Sequence, residues 1–192
     1  MSDQSDRNLK DSAERALGVI NLDNASILLI DDAWGIEILT RIFVGFGARH
    51  LHKAESLEAA SETVAKLPVD LIVTETQLQG GDVYGFIRKL RADAGNERNR
   101  FAPVILLSAH AAPGAIAEAR DCGANFFVAK PLSPKVMMDR VLWVAGAKRQ
   151  YVETATYAGP DRRFRTVTLP PGVLGRRGGD PRPGVEAVEL TG

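Results

Sequence analysis

The chain has 192 residues, 45% hydrophobic and 25% charged, which suits one domain with extensions and is too apolar for wholesale disorder. Its 24 basic and 24 acidic residues cancel, which argues against a general nucleic-acid binder because such proteins carry a basic excess. The single cysteine excludes an intramolecular disulfide and a cysteine-rich zinc site. The sequence has neither an apolar run long enough to span a membrane nor a signal-peptide pattern, so we expect a cytoplasmic protein without membrane contact.

Short apolar runs alternate with helical patterns from residue 25 onward. Most of the runs are continuous, which is typical of strands buried on both faces of a parallel sheet. Strands that alternate with helices predict a parallel sheet with right-handed crossovers. The predicted strands are 27–30, 48–54, 71–74, 104–107 and 126–129, and the predicted helices lie near 36–46, 57–67, 86–90, 114–121 and 136–144.

Composition divides the chain into three parts. Residues 1–24 are a polar extension, and residues 25–147 contain the repeat of strands and helices. Residues 148–192 are a Gly/Pro/Arg-rich tail, whose last 42 residues hold 7 of the 18 glycines and 5 of the 10 prolines. Such a segment cannot build its own core, so we expect it to be disordered or bound to a partner. Its arginine pairs at 162–163 and 176–177 are able to bind phosphate or carboxylate groups. A solvated, flexible tail also explains this composition.

Polar side chains follow four of the five predicted strands. They are Asp31 and Asp32 after the first strand, Glu75 after the third, Ser108 after the fourth and Lys130 after the fifth. Because the carboxyl ends of parallel strands share one edge, where such sheets bind ligands, we expect these groups to converge. Adjacent carboxylates favour a hard cation such as Mg²⁺, and a lysine beside a hydroxyl suits a phosphoryl group. Each residue alone is explained equally well as a cap or a surface charge, so the prediction rests on the whole set.

Residues 26–147 resemble the response-regulator receiver domain, the phospho-acceptor module of bacterial two-component signalling. The resemblance rests on the acid pair after ILLI, on Ser108 before a small residue, on Lys130 before a proline, and on Phe127 at the position of the aromatic switch residue. It implies a flavodoxin-like (βα)5 fold, a doubly wound parallel sheet of order 2-1-3-4-5, and a signalling module rather than an enzyme. It also implies that Ser108 and Lys130 contact a phosphoryl group and that Ser108 and Phe127 form the switch.

The phospho-acceptor position departs from the family. The family has an aspartate in a pattern like D-x-x-x-P-G, whereas residues 74–80 of this chain are T-E-T-Q-L-Q-G, so Glu75 replaces the aspartate. The extra methylene adds roughly 1.5 Å of reach, and about 1 Å of misplacement costs on the order of 10²-fold in rate. We therefore expect Glu75 to be a poor phosphoryl acceptor.

Two roles for Glu75 stay open. Its carboxylate is able to reach toward Lys130 and Ser108 and act as a partial phosphomimic, since it carries less charge and fewer acceptor oxygens than a phosphate. Alternatively, a salt bridge between Glu75 and Lys130 locks the domain without any signalling bias.

The acidic edge also predicts a weak magnesium site. The expected donors are Asp32, Glu75 and the backbone carbonyl of Gln77, while Asp31 mainly holds metal-bound water.

These features predict a single-domain response regulator of a bacterial two-component system or phosphorelay that acts through protein contacts. The resemblance implies a histidine kinase or phosphotransfer protein and a downstream protein as partners, with residues 112–146 as the contact surface. A homodimer through the same surface stays open, and we expect no DNA-binding output domain. The alternative is a structural adaptor that needs no phosphodonor and uses the receiver fold as a scaffold for the arginine-rich tail.

Overall fold

The computed structural model describes residues 22–109, 113–146 and 150–161. Within these ranges strands and helices alternate as predicted, except that a short unpredicted helix at residues 97–100 follows the third predicted helix. Two further strands follow the last helix. None of the helices in the described ranges is both long and apolar enough to cross a membrane. The elements are β1 (Ser26–Ile30), α1 (Ala33–Gly45), β2 (His50–Ala54), α2 (Leu57–Lys66), β3 (Leu71–Glu75), α3 (Val83–Ala92), α4 (Glu97–Arg100), β4 (Val104–Ser108), α5 (Pro113–Asp121), β5 (Phe126–Ala129), α6 (Pro134–Gly146), β6 (Tyr151–Thr154) and β7 (Tyr157–Pro160).

Strands β1 to β5 form a parallel sheet in the order β2-β1-β3-β4-β5. This order confirms the doubly wound, flavodoxin-like fold. Every residue of β3 and β4 is buried, as expected for continuous apolar strands covered on both faces. The direction of strand order reverses between β1 and β3, and ligands bind outside the carboxyl ends of the strands at such a point.

Helices cover both faces of the sheet and create two hydrophobic clusters. Ile27 and Leu29 of β1 belong to the cluster with α1 and α6. Leu28 and Ile30 belong to the cluster with α2, α3 and α5. Because burial of apolar surface is the main favourable term in folding, these two clusters fix the sheet and thereby the positions of its strand ends.

Several helices, the first three among them, begin at a short polar side chain that accepts a hydrogen bond from the first turn. Asp32 caps α1, Ser56 caps α2 and Asp82 caps α3. Such caps satisfy a backbone N–H group that has no partner within the helix, and each contributes about 1 kcal/mol. The cap of α1 lies directly after β1, so the same residue pair starts the helix and enters the acidic edge of the sheet.

The structure differs from the sequence prediction after α6. Within the segment predicted to be disordered or bound to a partner, β6 and β7 pair as an antiparallel hairpin, called here the C-terminal hairpin (residues 151–160). Each of its strands is four residues long, which is too short for the alternation of apolar and polar residues to be visible in the sequence. The hairpin packs against the surface of the domain. The ring of Tyr151 packs edge-to-face on Phe101, with 4.5 Å between the ring centroids. Residues 1–21 of the predicted extension and residues 162–192, with both arginine pairs, lie outside the described residues.

Candidate functional site

The candidate site lies at the carboxyl edge of the sheet, where four strands end. Glu75 is the last residue of β3 and pairs in register with Leu107, while Ser108 is the last residue of β4. Asp31 directly follows β1 and Lys130 directly follows β5. Parallel pairing of the strands thus carries residues that are distant in sequence to the same edge.

Lys130 joins two of the carboxylates. Its Nζ lies 2.9 Å from Asp31 Oδ2 and 2.6 Å from Glu75 Oε2. The side chain of Asp31 is 2% exposed and that of Glu75 is 9% exposed, whereas Lys130 is 28% exposed. Buried carboxylates require a paired charge and hydrogen bonds to offset their lost hydration, and the ammonium group supplies both.

The second oxygen of Glu75 is held by the chain that follows it. Oε1 accepts hydrogen bonds from the Thr76 N–H at 2.8 Å, the Thr76 hydroxyl at 3.0 Å and the Gln77 N–H at 3.2 Å. The carboxylate therefore folds back over its own backbone while Oε2 contacts Lys130. Four donors hold the glutamate in one arrangement.

The acid pair after β1 is divided between two tasks. Asp31 Oδ1 accepts the Asp32 N–H at 2.8 Å, and Asp32 Oδ1 accepts the Gly35 N–H at 2.7 Å. Asp31 is buried, whereas Asp32 is exposed. A Cβ atom on Gly35 would overlap the carboxylate of Asp31, so the buried acid fits only against a glycine.

Burial and pairing shift the protonation of this site in two ways. Burial raises the pKa of Asp31, although hydrogen bonds from Lys130 and the Asp32 N–H oppose the shift. Burial disfavours the charged form of Lys130, but the hydrogen bonds and attraction from Glu75 and Asp31 outweigh it and raise the pKa of Lys130. The lysine therefore stays charged at neutral pH.

Ser108 and Phe127, predicted as the switch, lie on neighbouring strands. Ser108 is buried, and its carbonyl accepts the Lys130 N–H at 2.7 Å, which ties the end of β4 to the residue that follows β5. Phe127 is partly buried, pairs in register with Leu106 and packs against the cluster that contains α2, α3 and α5.

Three of the predicted magnesium residues, Asp31, Asp32 and Glu75, do not form a side-chain cluster placed to hold a metal ion in this arrangement. Among the described residues no group of three or more Asp, Glu, His or Cys side chains is placed to hold a metal ion. Asp31 and Glu75 each direct one oxygen at Lys130, and Asp32 caps α1. With the ammonium group at the point where two carboxylates meet, the site does not fit a divalent cation unless Lys130 moves.

Sequence reasoning missed two residues of the site. Thr76 has a weak signal, since a threonine at the entrance of a loop commonly bonds nearby backbone or side-chain groups. Gly35 has a clearer sequence signal, because glycine in the first turn of a helix is unfavourable unless limited space or the backbone geometry requires it.

Comparison with known proteins agrees with this geometry. Residues 27–142 match the response regulator receiver domain. The chemotaxis protein CheY of Pseudomonas aeruginosa is 31% identical over 121 residues, which cover 60% of this chain and 91% of CheY. The transcriptional regulatory protein YvrH of Bacillus subtilis is 26% identical over 151 residues, which cover 78% of this chain but only 60% of YvrH.

A solved structure with the same fold is the receiver domain of a sensor histidine kinase from Pseudomonas aeruginosa, which holds a magnesium ion coordinated in its active-site cleft. It aligns with a TM-score of 0.54 and 24% identity over 62% of this chain and 95% of that chain. The sheet order, the edge where the polar groups meet and the match over most of the sheet agree with one another. The chain belongs to the response regulator receiver domain family.

Proposed function

We propose that this chain is a response regulator of a bacterial two-component system or phosphorelay, acting through protein contacts with Glu75 as a partial phosphomimic. The 2.6 Å contact between Glu75 Oε2 and Lys130 Nζ is the main support for this role. By resemblance, Lys130 is a partner of the phosphoryl group. A permanent carboxylate at this distance supplies part of the charge that a phosphate would supply.

The contacts of Glu75 also support the locked alternative. Three donors from Thr76 and Gln77 hold one carboxylate oxygen while Lys130 holds the other. Both alternatives remove the need for a phosphodonor. They differ in whether the arrangement that Glu75 stabilises is the one that engages a partner.

The proposed partners are a histidine kinase or phosphotransfer protein and a downstream target protein. The proposed contact surface is 112–146, of which the described part comprises α5, β5 and α6. Ile116 on α5 is 51% exposed and Val136 on α6 is 38% exposed, and exposed apolar side chains of this kind support a protein contact. A homodimer through this surface is an alternative use of the same residues.

The adaptor alternative places the function in the arginine-rich tail, whose arginine pairs lie outside the described residues. It predicts that partner binding is indifferent to the charge at position 75. A test of the charge at that position therefore separates the adaptor from the phosphomimic.

The test compares partner binding by the wild type and by Glu75→Gln. The full chain is cross-linked in lysate of the source cell, and the cross-linked proteins are quantified by mass spectrometry. We expect Glu75→Gln to reduce recovery of the specific partner by about tenfold, equivalent to about 1.4 kcal/mol. Glu62→Gln, which removes an equal charge from the exposed face of α2, serves as the matched control. Equal recovery with wild type and Glu75→Gln would favour the adaptor.

A further inference from the structure

We propose that the C-terminal hairpin is a clamp that fixes the lower end of β5, the end opposite Lys130. In this view the receiver fold of the chain extends to residue 161, and movement of β5 and α6 depends on the docked hairpin. The clamp acts independently of the role of Glu75.

The clamp is built on a buried arginine that has no carboxylate in ion-pair contact among the described residues. Arg91 of α3 is 1% exposed. Its Nε donates to the Gly123 carbonyl at 3.1 Å, and its Nη1 donates to two carbonyls at 2.7 Å, those of Arg100 and Ala102. Nη2 lies 3.4 Å from the side-chain oxygen of Asn125. Arg91 therefore ties the end of α3 to the chain after α4 and to the turn before β5.

The hairpin covers this arginine with an aromatic ring and adds a negative charge. The ring centroid of Tyr151 lies 6.0 Å from the guanidinium carbon of Arg91 and 5.9 Å from that of Arg100. Glu153 Oε2 lies 2.9 Å from Arg100 Nη2. Ring faces attract guanidinium groups most strongly where water is excluded, so the docked hairpin offsets part of the cost of burying two cations.

The hairpin also contacts the turn before β5, where Gly159 of the hairpin lies against Gly123 of the turn. Gly123 has a φ of +93°, and a Cβ atom there would lie 2.7 Å from the Ala158 carbonyl. A Cβ atom on Gly159 would lie 2.8 Å from the Gly123 Cα and 2.6 Å from the Tyr157 hydroxyl. Backbone therefore contacts backbone, and no side chain larger than hydrogen fits between the hairpin and the turn.

These contacts meet at the residues that lead into β5. The side-chain oxygen of Asn125 also accepts the Val104 N–H at 3.0 Å, which joins the beginnings of β4 and β5. Val144 of α6 lines a small cavity together with Asn125 and Tyr151. Only about 17 Å of extended strand separates this end from Lys130, so a clamp on the lower end restricts the whole of β5.

The test uses the full chain with hairpin substitutions that leave the acidic edge untouched. Tyr151→Ala removes the ring, and Tyr151→Phe restores it without the hydroxyl. Gly159→Ala places a methyl group against the turn, and Gly146→Ala is its control because a Cβ atom there meets no other group within 4 Å. The readout is amide hydrogen exchange, compared between residues 124–146 and the β1–β2 edge.

We expect Tyr151→Ala and Gly159→Ala to raise exchange at residues 124–146 by about tenfold, with little change in β1 and β2. Tyr151→Phe and Gly146→Ala should exchange like the wild type. Faster exchange in the hairpin alone would overturn the clamp, because the hairpin would then be a passive attachment. Uniformly faster exchange across the sheet would also overturn it, since the hairpin would then add only general stability.

A second readout follows the same variants by fluorescence. The chain has two tryptophans, and Trp34→Phe leaves Trp143, whose ring packs edge-to-face on Phe126 of β5 at 4.5 Å. We expect Tyr151→Ala to shift the emission of Trp143 to longer wavelength and Tyr151→Phe to leave it unchanged. An unshifted emission in folded Tyr151→Ala would contradict the clamp, and this variant keeps the test valid if Gly159→Ala does not fold.

Discussion

Lys130 carries one positive charge and faces two buried carboxylates. The geometry of Glu75 shows how one added methylene changes the chemistry of this position. The longer side chain lets one oxygen return to the Thr76 and Gln77 N–H groups while the other reaches the ammonium group. A carboxylate held by four donors is a poor nucleophile, because its lone pairs are engaged and its position is fixed.

Glu75→Asp should restore phosphorylation, since shortening the side chain withdraws the carboxylate from the Thr76 hydroxyl and returns it to the length that the family uses. After treatment with acetyl phosphate and Mg²⁺, intact mass spectrometry should show one added phosphoryl group on this variant and none on the wild type. Glu62→Asp on the exposed face of α2 controls for nonspecific labelling. Equal labelling of wild type and Glu75→Asp would contradict the geometric explanation.

Magnesium should bind the wild type only weakly, because the ion must displace Lys130 from Asp31 and Glu75. When Mg²⁺ is titrated into the protein, the fluorescence of Trp34, which lies two residues beyond Asp32, should change and reach saturation in the millimolar range. Lys130→Gln removes the competing charge and should tighten binding by about tenfold, equivalent to about 1.4 kcal/mol. The absence of any saturable change in both folded proteins would mean that the acidic edge does not bind this cation.

Helix α1 connects the acidic edge to the core. Its cap, Asp32, lies at the site, while Leu39 and Phe43 are buried in the cluster with α6. The first turn must therefore approach the buried carboxylate of Asp31 closely. Gly35 makes this approach feasible, whereas Gly45 at the other end of the helix faces open space.

Gly35→Ala should lower the free energy of unfolding by about 1–3 kcal/mol, because the added methyl group collides with the Asp31 carboxylate. Gly45→Ala is the matched substitution in the same helix and should raise the free energy of unfolding by about 0.5–1 kcal/mol through helix propensity. Urea denaturation of the two variants measures both changes. Equal free energies of unfolding for the two variants would show that the Asp31 side chain moves away from the added methyl group without loss of stability.

The pH dependence of the whole molecule should include a contribution from Lys130. Its folded-state pKa is raised above the ordinary value of 10.5, so its contribution to stability is complete below pH 10.5 and is lost as the pH rises through the folded-state pKa. In urea denaturation between pH 9 and 12, we expect Lys130→Gln to show a shallower alkaline loss of stability than the wild type. Lys66→Gln, which removes a solvent-exposed lysine from α2, is the matched control for the loss of one lysine. Parallel slopes for wild type and Lys130→Gln would contradict this contribution.

The five-stranded sheet was predictable because its signal lies in local sequence. A run such as the first four residues of β4 is apolar at every position, which indicates burial on both faces before any partner strand is known. The family match confirms the prediction of a signalling module. The C-terminal hairpin was not predictable in this way, because Tyr151 and Glu153 depend on Arg91 and Arg100, which lie far away in sequence.

At the site, the rule that ligands bind at the carboxyl ends of strands brought Asp31, Glu75 and Lys130 to one edge. The rule gives proximity but does not give side-chain conformation. The hydrogen bonds from Thr76 and Gln77 depend on the rotamer of Glu75, which spacing along the chain does not specify.

A carboxylate built into the chain has consequences for timing. A phosphoryl group on an acceptor is removed by hydrolysis, and its lifetime sets how long a message lasts. The charge of Glu75 has no such lifetime, since the bond that attaches it is part of the polypeptide. Under the proposed role, the signal therefore ends only when the protein is degraded, diluted by growth or outnumbered by its target. We expect output to follow the ratio of regulator to target, with a memory as long as the half-life of the protein.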